Sequence, residues 1–493
     1  MRTLESEPFV ALLRAHLSAK KSARRKDHFL PVLSILPRTD DPLSSLPAFP
    51  LTLFEKYFLL DTSEDFPMLV DGVFHFTGCF EPEKFETALH EALQRQPLFT
   101  RKIEKRNGKY YWVPSNEPLV IQWLEAPPDW NGKAWNEPID IFRRNGLDVY
   151  VVHQGDETKI YYRCHHICTD GIGFYRFFLD VFVLYAQKCG VGIDVPVPVV
   201  SERILDRDRM EPGELPEKIG VFRIVFDTVK EIVRWLREKP IFVGRRAESE
   251  NSNAQICRKT YTVAEETLDR CRAMAREANC TLNDLLTAAF FVLLEQRCQD
   301  ANADRSNRGN RIRLMIPINM RQPGCETIPA TNMISYVFLT KKPSECRADR
   351  NFLLGISNEM RIIKDWQVGY MFWDALRFFD WIPGGLRLMT GTKRCRAGMV
   401  FSNMGVVERY FGETFSTSGS GIVEIAGMRL DRVESFAPCR PLTNLSVAAH
   451  RQAGKLLLSC EYNRTYLSEA ELDQMFNDYE TVLRRFSRNE NDE

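Results

Sequence analysis

The chain has 493 residues, in which 66 Lys plus Arg balance 66 Asp plus Glu, and it is 44% hydrophobic and 27% charged. That apolar content excludes a wholly disordered chain, and a length well beyond one simple core predicts two domains or two fused halves. Zero net charge argues against a general nucleic-acid binder, whose affinity rests on a basic surface.

Residues 1–46 read as a flexible extension with a basic run from Ala19 to Lys26. Arg2, Glu5 and Glu7 interrupt any secretory leader, so the 13 cysteines are expected to be reduced thiols of a cytoplasmic protein. Residues 47–201 form the first mixed α and β half. Alternating apolar residues predict strands at 68–76, 147–151 and 159–164, and Asn107-Gly108 predicts a turn before a strand at 109–113. Helical spacing predicts helices at 82–94 and 173–187. The densest apolar stretch, 177–186, is short and contains Asp180, so no membrane span is expected.

Residues 202–255 are a charged, Pro-containing connector. Inside it Phe222, Val225, Phe226, Val229, Ile232, Val233 and Leu236 recur at helical spacing among Lys218, Arg223, Lys230, Arg234 and Arg237. This segment admits two readings, a helix packed on the domains and a helix lying on a membrane surface. Residues 256–493 form the second half. They read as strands at 258–263, 312–318, 333–339, 399–401, 442–449 and 456–462, with helices at 264–278, 282–296, 361–389 and 468–486. Ser468 and Glu471 are positioned as a capping box.

Chemistry concentrates at Arg163-Cys164-His165-His166-Ile167-Cys168-Thr169-Asp170-Gly171, where a strand ends and a helix begins. Strand ends feeding loops are where a rigid scaffold presents reactive groups. Neighbouring strand residues face opposite ways, so one imidazole can meet a cleft while the other is buried. Two satisfied structural histidines are the plain alternative. A zinc site from Cys164, His165, His166 and Cys168 is disfavoured, because adjacent ligands diverge and no second Cys-x-x-Cys exists. The chain lacks a Gly-x-Ser-x-Gly elbow, a P-loop and a Gly-x-Gly-x-x-Gly turn.

His165-His166-x-x-x-Asp170-Gly171 resembles the HHxxxDG signature of the CoA-dependent acyltransferase superfamily. That superfamily includes chloramphenicol acetyltransferase, nonribosomal peptide condensation domains, polyketide-associated acyltransferases and wax ester synthase/diacylglycerol acyltransferases. Pro50-Leu51-Thr52-Leu53-Phe54-Glu55 is similar to its opening segment, and Asn283-Asp284 to a helix start in the wax ester synthase branch. Ile316 to Arg321 resembles its P-V-N-x-R strand. Thr331-Asn332 is similar to its G-N pair, with Thr in place of Gly, and Phe401 to Gly405 to its S-N-x-G loop.

The resemblance implies an α/β fold of two chloramphenicol-acetyltransferase-like mixed-sheet halves with an active-site tunnel between them. It implies an acyltransferase that moves an acyl group from acyl-CoA, or an acyl-phosphopantetheine thioester, to a hydroxyl or amine of a small-molecule or lipid acceptor. His166 is then the general base of a direct transfer. His165, Asp170, Gly171 and Arg321 would support the motif, with Asp170 paired to Arg321. Ser402 and Asn403, with Thr443 and Asn444 on a later strand, would orient substrate or an oxyanion. No permanently bound cofactor and no metal is implied, and no nucleic-acid partner. Two other readings stay open: a condensation-type domain making amides or esters with carrier proteins in trans, and a catalytically inactive binding or assembly module. The acyl pocket would draw on Ile172, Phe174, Phe177 and Phe178, which suit a core equally well.

Overall fold

The structure, a computed structural model, describes residues 46–487 except 118, 120, 194–198, 211–236, 245–253, 302–309, 392–394, 413 and 416–421. The basic run and the amphipathic connector helix lie outside the described residues. So do the ends of the chain.

Two six-stranded mixed sheets carry the fold. The N-terminal sheet has the order β12-β13-β2-β7-β6-β5. Its strands are β2 (Leu69–Thr77), β5 (Ile121–Leu124), β6 (Leu147–Gln154), β7 (Glu157–His165), β12 (Val423–Ile425) and β13 (Met428–Phe436). The C-terminal sheet has the order β10-β9-β11-β14-β15-β8. Its strands are β8 (Ile256–Val263), β9 (Ile312–Asn319), β10 (Ile334–Lys341), β11 (Met399–Val406), β14 (Leu445–Gln452) and β15 (Lys455–Asn463). β1 (Phe49–Pro50), β3 (Arg101–Arg106) and β4 (Lys109–Pro114) form a small third sheet.

The helices follow from local sequence. α1 (Leu53–Asp61) starts at a Thr52/Glu55 capping box and buries Phe54, Tyr57 and Phe58. α2 is Pro82–Leu93, and α3 (Gly171–Lys188) carries a dense apolar face of Phe174, Phe177, Phe178, Val181 and Phe182. α4 is Glu265–Glu277 and α5 is Leu282–Ala301, whose first turn is closed by Thr281 and Asp284 capping each other. The helical region predicted at 361–389 is three helices: α6 (Arg350–Asp365), α7 (Gly369–Trp381) and α8 (Gly385–Thr390). Gln367 at φ 51° and Gly384 at φ 75° occupy left-handed conformations that no continuous helix accommodates. α9 (Glu408–Phe411) and α10 (Glu469–Phe486) complete the set, the last with its Ser468/Glu471 capping box.

One feature departs from a simple division at residue 256. β13 leaves the C-terminal segment and pairs antiparallel with β2, from Arg429↔Thr77 to Phe436↔Asp71. The N-terminal sheet is therefore completed by a strand from the other end of the chain. Beside this seam the Arg258 guanidinium of β8 is buried. It bonds Asp71 of β2 at 2.7 and 2.9 Å and Glu461 of β15 at 3.0 Å. Asp71 also accepts the Trp135 indole N–H at 2.8 Å. Burial pushes the Glu461 carboxyl up, against the pull of Arg258. No described helix is long and apolar enough to cross a membrane.

Candidate active site

β7 ends at His165, and the chain turns through His166 to Thr169 before α3 begins. Both imidazoles are buried. His165 accepts the Ile167 backbone N–H on Nδ1 at 3.1 Å. Burial, with His166 alongside, pulls its pKa down to about 3, so it is a neutral structural ring.

His166 is held differently. Its Nδ1 lies 2.9 Å from the Thr169 carbonyl oxygen. A carbonyl only accepts, so in the neutral ring Nδ1 carries the proton and Nε2 keeps its lone pair. The ring stacks on Phe58 of α1, with centroids 4.4 Å apart and planes at 21°. Burial lowers its pKa, offset in part by hydrogen bonds and by Asp170. In the neutral ring Nε2 is therefore the basic nitrogen.

Asp170 caps α3 by accepting the Gly173 N–H at 2.9 Å. Its carboxylate also takes both terminal nitrogens of Arg321, at 2.8 and 2.9 Å, and the Met333 N–H at 2.8 Å. Arg321 further donates to the Thr331 carbonyl at 3.0 Å. Asp170 therefore faces Arg321 and the backbone, and no hydrogen bond joins it to His166 among the described residues. Gly171 is packed so that a Cβ there would run into the flexible end of Met404.

Asn332, read above only as part of the Thr331-Asn332 pair, holds the histidine loop. Its Nδ2 donates to the carbonyls of His166 and Ile167, at 2.6 and 3.1 Å. It ties the C-terminal segment onto the histidine loop. Asn332→Ala is expected to lower stability by about 1–3 kcal/mol, the cost of leaving buried carbonyls unpaired. Urea unfolding of the variant beside the wild-type chain measures it.

His166, Asp170 and Gly171 line a cavity whose walls come from both sheets and from α1, α3 and α7. Its apolar lining includes Met68, Ile172, Phe174, Met315, Phe338 and Phe372. Phe177 and Phe178 are not part of it; they are fully buried in the core. Asp61 and Arg440, paired at 2.9 Å, supply charge to the wall. Burial raises the pKa of Asp61 despite that arginine.

The four candidate orienting residues separate. Ser402 and Asn403 of β11 line the cavity. Among the described residues the Ser402 hydroxyl has one contact, a long one to Met404 Sδ at 3.7 Å, so its proton can serve a substrate. Asn403 Nδ2 donates one proton to Asn283 Oδ1 at 2.9 Å, which links β11 to the start of α5. Thr443 reaches the cavity wall, but its hydroxyl is spent on the Ala397 carbonyl at 3.0 Å. Asn444 must be withdrawn: it is fully buried away from the cavity and donates to the Val243 carbonyl at 3.0 Å. The strand expected over 442–449 begins only at Leu445, so Thr443 and Asn444 lie in the turn that leads into it.

No family model matches the chain. Known structures match it closely in shape. The first condensation domain of the calcium-dependent antibiotic synthetase, in complex with a substrate analogue, aligns at a TM-score of 0.64 and 12% identity, covering 90% of this chain and 97% of that one. The SgcC5 protein of Streptomyces globisporus aligns at 0.62 and 14%, over 89% and 98%. The starter condensation domain of rhizomide synthetase RzmA, in complex with C8-CoA, gives 0.62 and 14%, over 89% and 94%. The chain therefore shares the fold of these condensation domains. Among curated proteins, chondramide synthase cmdD of Chondromyces crocatus is 20% identical over 380 residues, which is 73% of this chain. The match spans 8% of the length of that synthase.

Proposed function

We propose that the protein transfers an acyl group from a pantetheine thioester, carried by CoA or a carrier protein, to an amine or hydroxyl acceptor. The observation that carries this reading is His166, which lines the cavity with its Nδ1 committed to Thr169, so that Nε2 is the nitrogen left basic. Nε2 takes the proton of the acceptor N–H or O–H as that atom attacks the thioester carbonyl. The Ser402 hydroxyl, which lines the same cavity, stabilises the resulting oxyanion. Collapse of the tetrahedral intermediate breaks the C–S bond, and the imidazolium returns its proton to the leaving thiolate. No covalent acyl-enzyme is needed. Asp170 and Arg321 act as a brace that fixes the loop, and His165 as a packed support.

Within this reading, a condensation-type reaction with carrier-bound substrates is favoured by the neighbours, whose names describe condensation domains of synthetases. A chain of this fold without activity would serve as a binding module. The test is free-thiol release by purified protein from acyl-CoA donors of several chain lengths, and from acylated carrier protein, each with a panel of amines and alcohols. Acceptor-dependent thiol release is the expected result. No release with any donor and acceptor would leave the binding module as the better account.

A further inference from the structure

We propose that Tyr162, Ser435 and Tyr175 form a hydroxyl subsite in the cavity wall that donates a hydrogen bond to a neutral oxygen on the acyl chain bound beside it. The proposal rests on the acyl-transfer reading of the cavity and adds a class of substrate, a hydroxy- or oxo-substituted chain.

The subsite is built by a notch in the N-terminal sheet. Tyr162 of β7, Gly72 of β2 and Ser435 of β13 stand in register on three adjacent strands. A Cβ at Gly72 would lie 2.5 Å from the Tyr162 hydroxyl. Only glycine leaves the path across the middle strand open. Tyr162 uses it to reach the Ser435 hydroxyl at 2.7 Å. Tyr175, arriving from α3, meets the same oxygen at 2.9 Å. All three residues line the cavity, and each is more than nine-tenths buried.

The proton count then points outward. Three hydroxyls carry three protons, and two hydrogen bonds use two of them. None of the three oxygens has another hydrogen-bond partner among the described residues. Burial raises the pKa of both tyrosines, so neither sheds its proton near neutral pH. Whichever way the bonds run, one O–H remains, and leaving it unmade inside an apolar wall is costly. The trio is uncharged and set among Phe174 and other apolar groups, so its natural partner is a neutral oxygen on an otherwise apolar chain.

The test measures binding of octanoyl-pantetheine, and of octanoyl-pantetheines bearing a hydroxyl or oxo group at successive carbons, to the full chain by calorimetry. At least one oxygenated chain is expected to bind roughly 3- to 10-fold more tightly than the plain one, the worth of one neutral hydrogen bond. Removing all three hydroxyls together, in Tyr162→Phe/Tyr175→Phe/Ser435→Ala, should abolish that preference while keeping affinity for octanoyl-pantetheine, because no buried hydroxyl is then left without a partner. Tyr175→Phe alone leaves two hydroxyls and one hydrogen bond, so one O–H is still spare and the preference should persist. Equal affinity for every chain in the wild type, no binding at all, or a preference that survives in the triple variant overturns the proposal. Turnover is read separately. A preferred chain that binds but is never transferred upholds the subsite and counts against the acyl-transfer reading, whereas transfer without preference does the reverse.

Discussion

Replacing His166 with alanine is expected to lower the turnover of acyl transfer by roughly 10²–10⁴-fold, the usual span for loss of a positioned general base. The effect should fall on turnover more than on thioester binding, because the ring contributes one edge to a cavity lined by many other groups. The pH profile supplies an independent check. Burial holds the His166 pKa below the usual histidine value of 6.5, so Nε2 stays free at pH values where an exposed histidine would already be protonated. The acid limb of kcat/KM should therefore lie below pH 6.5 and vanish from the residual activity of the alanine variant. Near-normal turnover in the variant would remove His166 from the mechanism.

Asp170→Ala is expected to destabilise the fold by roughly 3–5 kcal/mol, the range for removing one partner of a buried ion pair. The physical reason is the number of groups this carboxylate satisfies: both terminal nitrogens of Arg321, the Met333 N–H and the first turn of α3. Without it a nearly buried guanidinium is left uncompensated. Activity should fall as well, because the loop that orients His166 begins α3 at this residue. Arg321→Ala should reproduce both losses, and the double variant should cost much less than the sum, since the second substitution removes the stranded charge. Denaturant unfolding with turnover on the same samples decides the matter. Lost activity at unchanged stability would instead assign Asp170 a direct part in the chemistry.

The sequence was most legible where an element is buried. β6 alternates over its first five residues, β2 and β7 are apolar strands buried on both faces, α3 shows a continuous apolar stripe, and Ser468 and Glu471 mark the start of α10 in plain view. The motif residues His166, Asp170, Gly171 and Ser402 meet at one cavity, and Arg321 stands behind Asp170. β13 was hidden for a definable reason. Its register shifts between Leu430 and Arg432, so buried positions pass from Met428 and Leu430 to Val433 and Ser435, and the period of two breaks midway. α1 was passed over although Thr52 and Glu55 form a capping box, a signal that four residues carry. Asn444 was misplaced because the expected strand was begun too early: β14 starts at Leu445, and the turn before it buries the Asn444 side chain against the Val243 carbonyl. The Tyr162–Ser435 contact joins residues 273 apart, and nothing local announces it.

The route of β13 has a consequence for how the protein is made. Its partner strand β2 leaves the ribosome first, and Arg429 follows Thr77 by 352 residues. At roughly 5–20 residues per second, an edge of β2 waits on the order of 20–70 s for its neighbour. During that interval a newly made N-terminal segment presents an open strand edge, the sort of template on which nascent chains stick to one another. Synthesis and folding are thus coupled by topology: the N-terminal sheet cannot be finished until β13 has been made.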